Sequence, residues 1–529
     1  MKNQSVASIA LVALAVAGTA QAADLKAKQV TDAPPAVTSW TGFYGGLGLG
    51  FRTARTDVTT ISEAFAGTPV VLAPIAVSLP FDGTAFRANS YIGFNWQITP
   101  RWVAGLEGDV GFASQATALA GYPFSPAAQP GSGVAADSLA VKATADGSLR
   151  GRFGILLAPA TLAYLSGGVA WQHYKVASRC VSNTGSCVGN GYAPALVANA
   201  TTRPGWTVGG GIETAFRGHW VARAEYRYAD FGTVPFTIAR TSTVPAQNPT
   251  VDNFNVRMQT HTAVFGLAYK FGDPIAAGEA GDGWAGALTA RDTPATTSWT
   301  GAYAGLELGA RASRTDLTTT SAKQAALLVD LTQVSTSKPI DGTAFRATPY
   351  FGVNWQFAPQ WVGGLEGDTG FARQTRTLSG FPFSPGVIGG RRAADSLSVK
   401  TTWDATLRGR LGFLLTPATL AFVTGGAAWQ RYEITSVCAS TDVCGAFGFT
   451  PVTIVNSTIK LGWTVGGGIE TMLGVHWLAR GEYRYSDFGA APFSIVRSSP
   501  IPALNPSVAN FEAKLRTHIV SFGLAYKFN

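Results

Sequence analysis

Residues 261–271 read HTAVFGLAYKF, and residues 518–528 read HIVSFGLAYKF. In the first stretch Ala263, Phe265, Leu267, Tyr269 and Phe271 occupy alternate positions, with Thr262, Val264, Gly266, Ala268 and Lys270 between them. A period of two with one large apolar face is a β-strand lying against an apolar medium. Both stretches end on an aromatic residue. A soluble core does not call for that ending, whereas a strand crossing a bilayer favours aromatics at the water interface.

Composition fits a membrane crossed by strands. Charged residues make up 13% of the 529 positions, about half the share in an ordinary soluble protein of roughly 25%. No run of 18 apolar residues occurs, which excludes helical spans. The 62 glycines, 30 phenylalanines, 15 tyrosines and 14 tryptophans suit strands with close backbone approaches and aromatic girdles. Residues 1–22 read as a signal peptide: Lys2, an apolar Ile9–Val16, and Ala20-Gln21-Ala22 before a cut near Ala23. The net charge of +9 is scattered without a basic run. With export, nucleic acid is excluded, and contact with anionic lipopolysaccharide is the better use of the excess.

Cys180/Cys187 and Cys438/Cys444 form one close pair in each half. Export permits disulfides that close short loops, and a metal site is the alternative.

The chain is written twice. Asp82–Arg87, DGTAFR, recurs at Asp341–Arg346; Gly105–Asp109, GLEGD, at Gly364–Asp368; Gly205–Thr214 at Gly462–Thr471; and Glu225–Tyr228, EYRY, at Glu482–Tyr485. The offset is 259 residues early and 257 later, slipping around the cysteine loop. A period this long is a duplicated domain rather than a solenoid. The expected layout is an N-terminal segment 23–39, copy one at 40–271, a flexible Gly/Ala/Asp linker 272–298 and copy two at 299–529.

Copy one shows eight strand signals, near 41–54, 84–97, 101–116, 138–157, 161–177, 205–217, 219–231 and 256–271. Short turns alternate with long polar segments at about 56–82, 118–137, 178–203 and 233–254, which read as surface loops. An even strand count with short periplasmic turns and long outward loops is the pattern of a transmembrane, antiparallel, up-and-down β-barrel.

Charge decides inside from outside. In 220–228, Trp220, Ala222, Ala224, Tyr226 and Tyr228 share one face, and Arg223, Glu225 and Arg227 the other. A charge facing lipid at the midplane costs about 2–4 kcal/mol, so the charged face looks into the barrel. The same reasoning sends Arg87, Glu107, Asp109, Arg150, Arg152 and Glu213 inward, and in copy two Arg346, Glu366, Asp368, Arg408, Arg410, Glu470, Arg480, Glu482 and Arg484. Five arginines against four carboxylates per copy suit a plug of ion pairs in a narrow bore; an open, slightly anion-preferring channel is the alternative.

Other motifs fail on context. Gly45–Gly50, GGLGLG, sits within an alternating strand with no following helix, so it is no dinucleotide loop. His261 and His518 resemble the start of the His-x-Ser pair of barrel lipid A deacylases, but Ala263 and Val520 stand where the nucleophile is needed. His173 and its counterpart Arg431 read as strand-end residues, and His219 and His476 as turn residues beside Trp220 and Trp477. Neither enzyme, cofactor nor metal chemistry is expected.

Together the WTGFY opening at Trp40, the EYRY strand and the GLAYKF ending resemble the small alphaproteobacterial outer-membrane β-barrel proteins, the porin-family or OmpA-like barrels. The resemblance spans 40–271 and 299–528. It implies an eight-stranded barrel in the bacterial outer membrane, recognised by the barrel-assembly machinery through its closing strand. It also implies roles in envelope integrity and surface interaction, with some members described as porins or haem binders. Asn529 after the terminal Phe528 departs from the pattern. Two architectures follow: two tandem eight-stranded barrels, with Phe271 and Phe528 each closing one, or a single sixteen-stranded barrel. Two functions follow as well: a structural and surface-interaction protein, or a porin for small hydrophilic solutes.

Overall fold

Alternation of apolar and small or polar residues propagates into antiparallel strands in both halves. The structure is a computed structural model. It describes residues 39–65, 68–71, 78–120, 138–181, 193–216, 218–243, 245, 248–275, 298–324, 327–330, 338–379, 396–439, 451–498, 502, 505 and 507–528.

Copy one contains β1 (Gly42–Phe65), β2 (Thr68–Val71), β3 (Ser78–Pro80), β4 (Gly83–Gln97), β5 (Trp102–Ala120), β6 (Ser138–Ala158), β7 (Thr161–Cys180), β8 (Ala195–Phe216), β9 (Trp220–Arg240) and β10 (Thr250–Lys270). Copy two contains β11 (Gly301–Gln324), β12 (Leu327–Asp330), β13 (Lys338–Ala358), β14 (Trp361–Ser379), β15 (Ser396–Thr416), β16 (Thr419–Cys438), β17 (Val452–Leu473), β18 (Trp477–Arg497) and β19 (Ser507–Lys527). The three shortest, β2, β3 and β12, are flaps on β1 and β11.

Each copy closes on itself. In copy one, β4 through β10 pair in chain order, and β1 pairs both β4 and β10. The closing ladder runs from Tyr44↔Lys270 through Leu47↔Leu267 and beyond. Copy two repeats it between β11 and β19, from Tyr303↔Lys527. The sixteen-stranded alternative is thereby overturned: β10 spends both of its edges within copy one, on β9 and β1.

Outward residues form an apolar band. Trp102, Leu106, Val110 and Phe112 on β5 are exposed, as are Leu149 and Phe153 on β6. Eleven tilted residues cover about 25 Å, one hydrocarbon thickness. Trp96, Trp102, Trp220, Tyr269 and Phe271 ring the short-turn end, and Phe86, Trp171 and Trp206 the other. Past the band the outward face of β1 turns polar, at Thr53, Arg55, Asp57 and Thr59.

The strands run well beyond the membrane. Residues 56–65, 195–203, 233–240 and 250–254, expected in loops, are strand. Their alternation is real but changes phase at bulges. Arg223, Glu225 and Arg227 point inward at odd positions, whereas Val234, Phe236 and Ile238 are buried at even ones. The shift falls at Gly232, φ +67°, whose amide donates to Asp230 Oδ1 at 2.8 Å. On β6 the phase changes between Ala143 and Asp146. A bulge adds one residue and flips every later side chain.

The flipped Leu139, Val141, Val234, Phe236 and Ile238 fill the outer half together with Val58, Phe81, Tyr174, Phe254 and Val256. Two ladders end below this level: β8–β9 runs only between Trp206↔Asp230 and Phe216↔Trp220, and β4–β5 only between Ala88↔Phe112 and Gln97↔Val103. Above them, β5–β8 and the remaining strands face each other as two sheets over an apolar core. Asn199 Nδ2 reaches the Thr237 carbonyl across one seam at 2.9 Å.

Candidate functional site

Among the described residues, the lumen at membrane level holds the largest cluster of charges shielded from water. Its short-turn end is capped by Trp40, buried just before β1, whose indole donates to the Pro159 carbonyl at 3.1 Å. Val103, Leu162, Ala215, Val221 and Ala268 pack with it. Trp299 repeats the cap on Pro417 at 3.0 Å.

Above the cap lies a continuous ion-pair network. In copy one, Arg150 reaches Glu107 at 2.5 Å and Glu225 at 2.7 Å. Arg152 reaches Glu213 at 2.8 Å, and Arg223 holds Glu213 at 2.6 Å and also pairs with Glu107. Arg227 and Arg87 each bind Asp109 at 2.7 Å. Tyr44 Oη donates to Glu107 at 2.8 Å and Tyr164 Oη to Glu225 at 2.7 Å. Arg152 and Arg223 also lie over the Tyr164 and Tyr91 rings, at 3.9 and 4.1 Å. All nine ionic side chains named for copy one in the sequence lie in this network.

Copy two is built alike. Arg408 reaches Glu366 at 2.5 Å and Asp368 at 2.9 Å, and pairs with Glu482. Arg480 reaches Glu366 at 2.6 Å and Glu482 at 2.5 Å. Arg410 holds Glu470 at 2.9 Å, and Arg346 and Arg484 converge on Asp368.

Sequence reasoning missed five members. Arg52 on β1 meets Asp146 on β6 at 2.5 Å, and Asp146 also takes Arg87 at 2.5 Å. Arg311 and Asp404 repeat the first pair at 2.6 Å. Glu307, standing where copy one has Gly48, binds Arg480 at 2.8 Å and accepts from Ser521 at 2.8 Å. The lumens thus hold six arginines against five carboxylates and six against six among the described residues. Arg52 shares the parity of Tyr44, and Asp146 that of Arg150 and Arg152, so extending the alternation would have found both.

Glycines make room for these long side chains. A Cβ on Gly111 would collide with the Arg87 guanidinium, and one on Gly370 with that of Arg346. Gly46 and Gly48, within the glycine-rich run, likewise face the lumen, where Tyr91 and Val264 occupy the freed space.

Elsewhere the picture is structural. His219 Nδ1 donates to the Lys270 carbonyl, 2.9 Å away, and the ring stacks on Tyr269. His261 and His518 bond Tyr226 and Tyr483 at 2.7 and 2.8 Å. His173 lies inside β7 rather than at a strand end, 3.0 Å from Thr202 Oγ1. Cys180 and Cys438 end β7 and β16 and are buried; Cys187 and Cys444 lie outside the described residues, as do 1–38 and most of the linker.

A family model described as an outer membrane protein beta-barrel domain matches residues 9–271 and again 284–528. The chain belongs to this outer-membrane β-barrel family, and carries its domain twice. Such a protein resides in the bacterial outer membrane. The chain is 28% identical to the 31 kDa outer-membrane immunogenic protein of Brucella melitensis over 44% of its own length and 85% of that protein. To the 25 kDa outer-membrane immunogenic protein of Brucella abortus it is 29% identical over 51% of its length and 99% of the relative. Each of these relatives therefore corresponds to about one copy. Among solved structures, OprG of Pseudomonas aeruginosa is 14% identical, matching 45% of this chain and all of that one, with a TM-score of 0.29.

Proposed function

We propose that this outer-membrane protein is a non-conducting, non-catalytic envelope component: two plugged barrels that add rigidity and present a protruding surface outside the cell. The support is the lumen itself. Arg223 and Arg227 on β9 reach across the bore to Glu107 and Asp109 on the opposite strand β5, and these four side chains are at most 8% exposed. Apolar layers lie on both sides of them. A narrow interior filled in this way leaves no continuous water path. The outer extension, with its own apolar core, is a stable platform for surface contacts with lipopolysaccharide or other extracellular ligands.

Under this reading residues 1–22 are a removed signal peptide, the Phe271 and Phe528 strands are read by the barrel-assembly machinery, and Cys180–Cys187 and Cys438–Cys444 close loops on the oxidising side. A deletion strain tests the role. Unchanged uptake of small hydrophilic solutes together with increased sensitivity to detergents supports it. Slowed solute uptake with an intact envelope would instead establish the porin reading.

A further inference from the structure

An outward, band-level residue should be bathed in lipid, and most are: Leu47 and Leu165 are 69% and 73% exposed. One patch breaks the rule. Ala222 and Ala224 on β9 and Ala263 on β10 point outward yet are buried, as is Ala479 on β18. What covers them is the other copy. A Cβ placed on Gly481 would stand 3.3 Å from the Ala224 Cβ. Phe51 stacks on Tyr483, rings 4.9 Å apart and 11° from parallel, and lies 5.8 Å from the His518 ring. Thr161 Oγ1 and Thr471 Oγ1 approach to 3.5 Å at the short-turn end. Beyond the band, Arg376 of copy two binds Asp57 of copy one at 2.5 Å and lies 3.7 Å from Asp82.

Ala224 and Gly481 are equivalent positions, separated by the repeat offset of 257 residues. A residue meeting its own equivalent marks a twofold relation, in which the same patch serves both partners. Lipid tails are as apolar as the patch, so hydrophobicity does not drive association inside a bilayer; close van der Waals packing between small residues does. Ala222, Ala224, Ala479 and Gly481 supply such a surface, and the Asp57–Arg376 pair sets its register outside the band.

We propose that the two barrels are not independent bodies on a tether but a fixed twin, docked through equivalent faces of β9 and β18. The pairing goes beyond the envelope role, because it joins two outer platforms into one composite surface and holds whether or not either lumen conducts.

Asp57→Cys with Arg376→Cys in the full chain, with a protease site in residues 276–297, tests this in outer-membrane preparations. A short bismaleimide is expected to join the two halves after linker cleavage, giving a full-length band on denaturing gels. Ala224→Trp with Gly481→Trp should lower that crosslink at least tenfold while both halves keep the heat-modifiable migration of folded barrels. Gly151→Trp with Gly409→Trp, at outward positions with open space around them, should leave it unchanged. Folded halves without a crosslink, or a crosslink only between separate chains, would overturn the proposal.

Discussion

The amide of Phe271 donates to the carbonyl of Phe43 at 2.8 Å, joining the end of copy one to its beginning. Phe528 does the same to Ala302 at 2.8 Å. A strand has two edges, and these bonds occupy the second edge of each last strand. They leave the chain no way to continue one sheet through both copies.

If the lumens are plugs, their ion pairs are most costly to break singly. Arg150→Met strips partners from Glu107 and Glu225 and leaves buried charge uncompensated, which costs on the order of 3–5 kcal/mol. Arg257 pairs with Asp230 at 3.2 Å but its side chain is 57% exposed; Arg257→Ala is expected to cost under about 1 kcal/mol. Urea unfolding followed by tryptophan fluorescence in detergent or liposomes separates the two. Equal effects would mean that the lumen is solvated.

Space for the network depends on absent side chains. Gly111→Leu pushes on Arg87 and is expected to prevent formation of the heat-modifiable band, whereas Gly151→Leu, facing open space, is expected to fold normally. Normal folding of both variants would place Arg87 elsewhere.

Outside the band, Asp82 confers a pH dependence. Its Oδ1 accepts the Thr56 amide at 2.7 Å. Burial pushes its carboxyl up to about 7 from 3.8, aided by nearby Asp57 and opposed by Arg376 and Arg55. The folded protein then holds a proton that the unfolded chain has released, so this contribution is complete below about pH 4 and is lost as pH rises through about 7. The urea midpoint should fall across that window, and fall less steeply in Asp82→Asn. An identical slope in the variant would remove Asp82 as the source.

Much of this was legible in the sequence because period-two alternation survives wherever one face meets lipid. Trp220–Tyr228 carries its inside and outside in nine residues. What escaped did so for physical reasons. At Gly232 and between Ala143 and Asp146 a bulge inverts the phase, so strand resumes where alternation seems to stop. Above the band the outer face turns to Thr, Arg and Asp, which resembles a loop. Trp40 read as part of an opening motif, but its burial as a cap comes from Pro159, 119 residues away. The Ala224–Gly481 contact left no signal beyond small residues, since a lipid-facing alanine and a docked one look alike.

The most direct measurement of the central claim is conductance of the purified full chain in planar bilayers. Two closed, charge-plugged barrels give no stable steps above the bare membrane. Arg150→Met, by opening the network, should give small flickering ones. Large, persistent openings from the unmodified protein would contradict it.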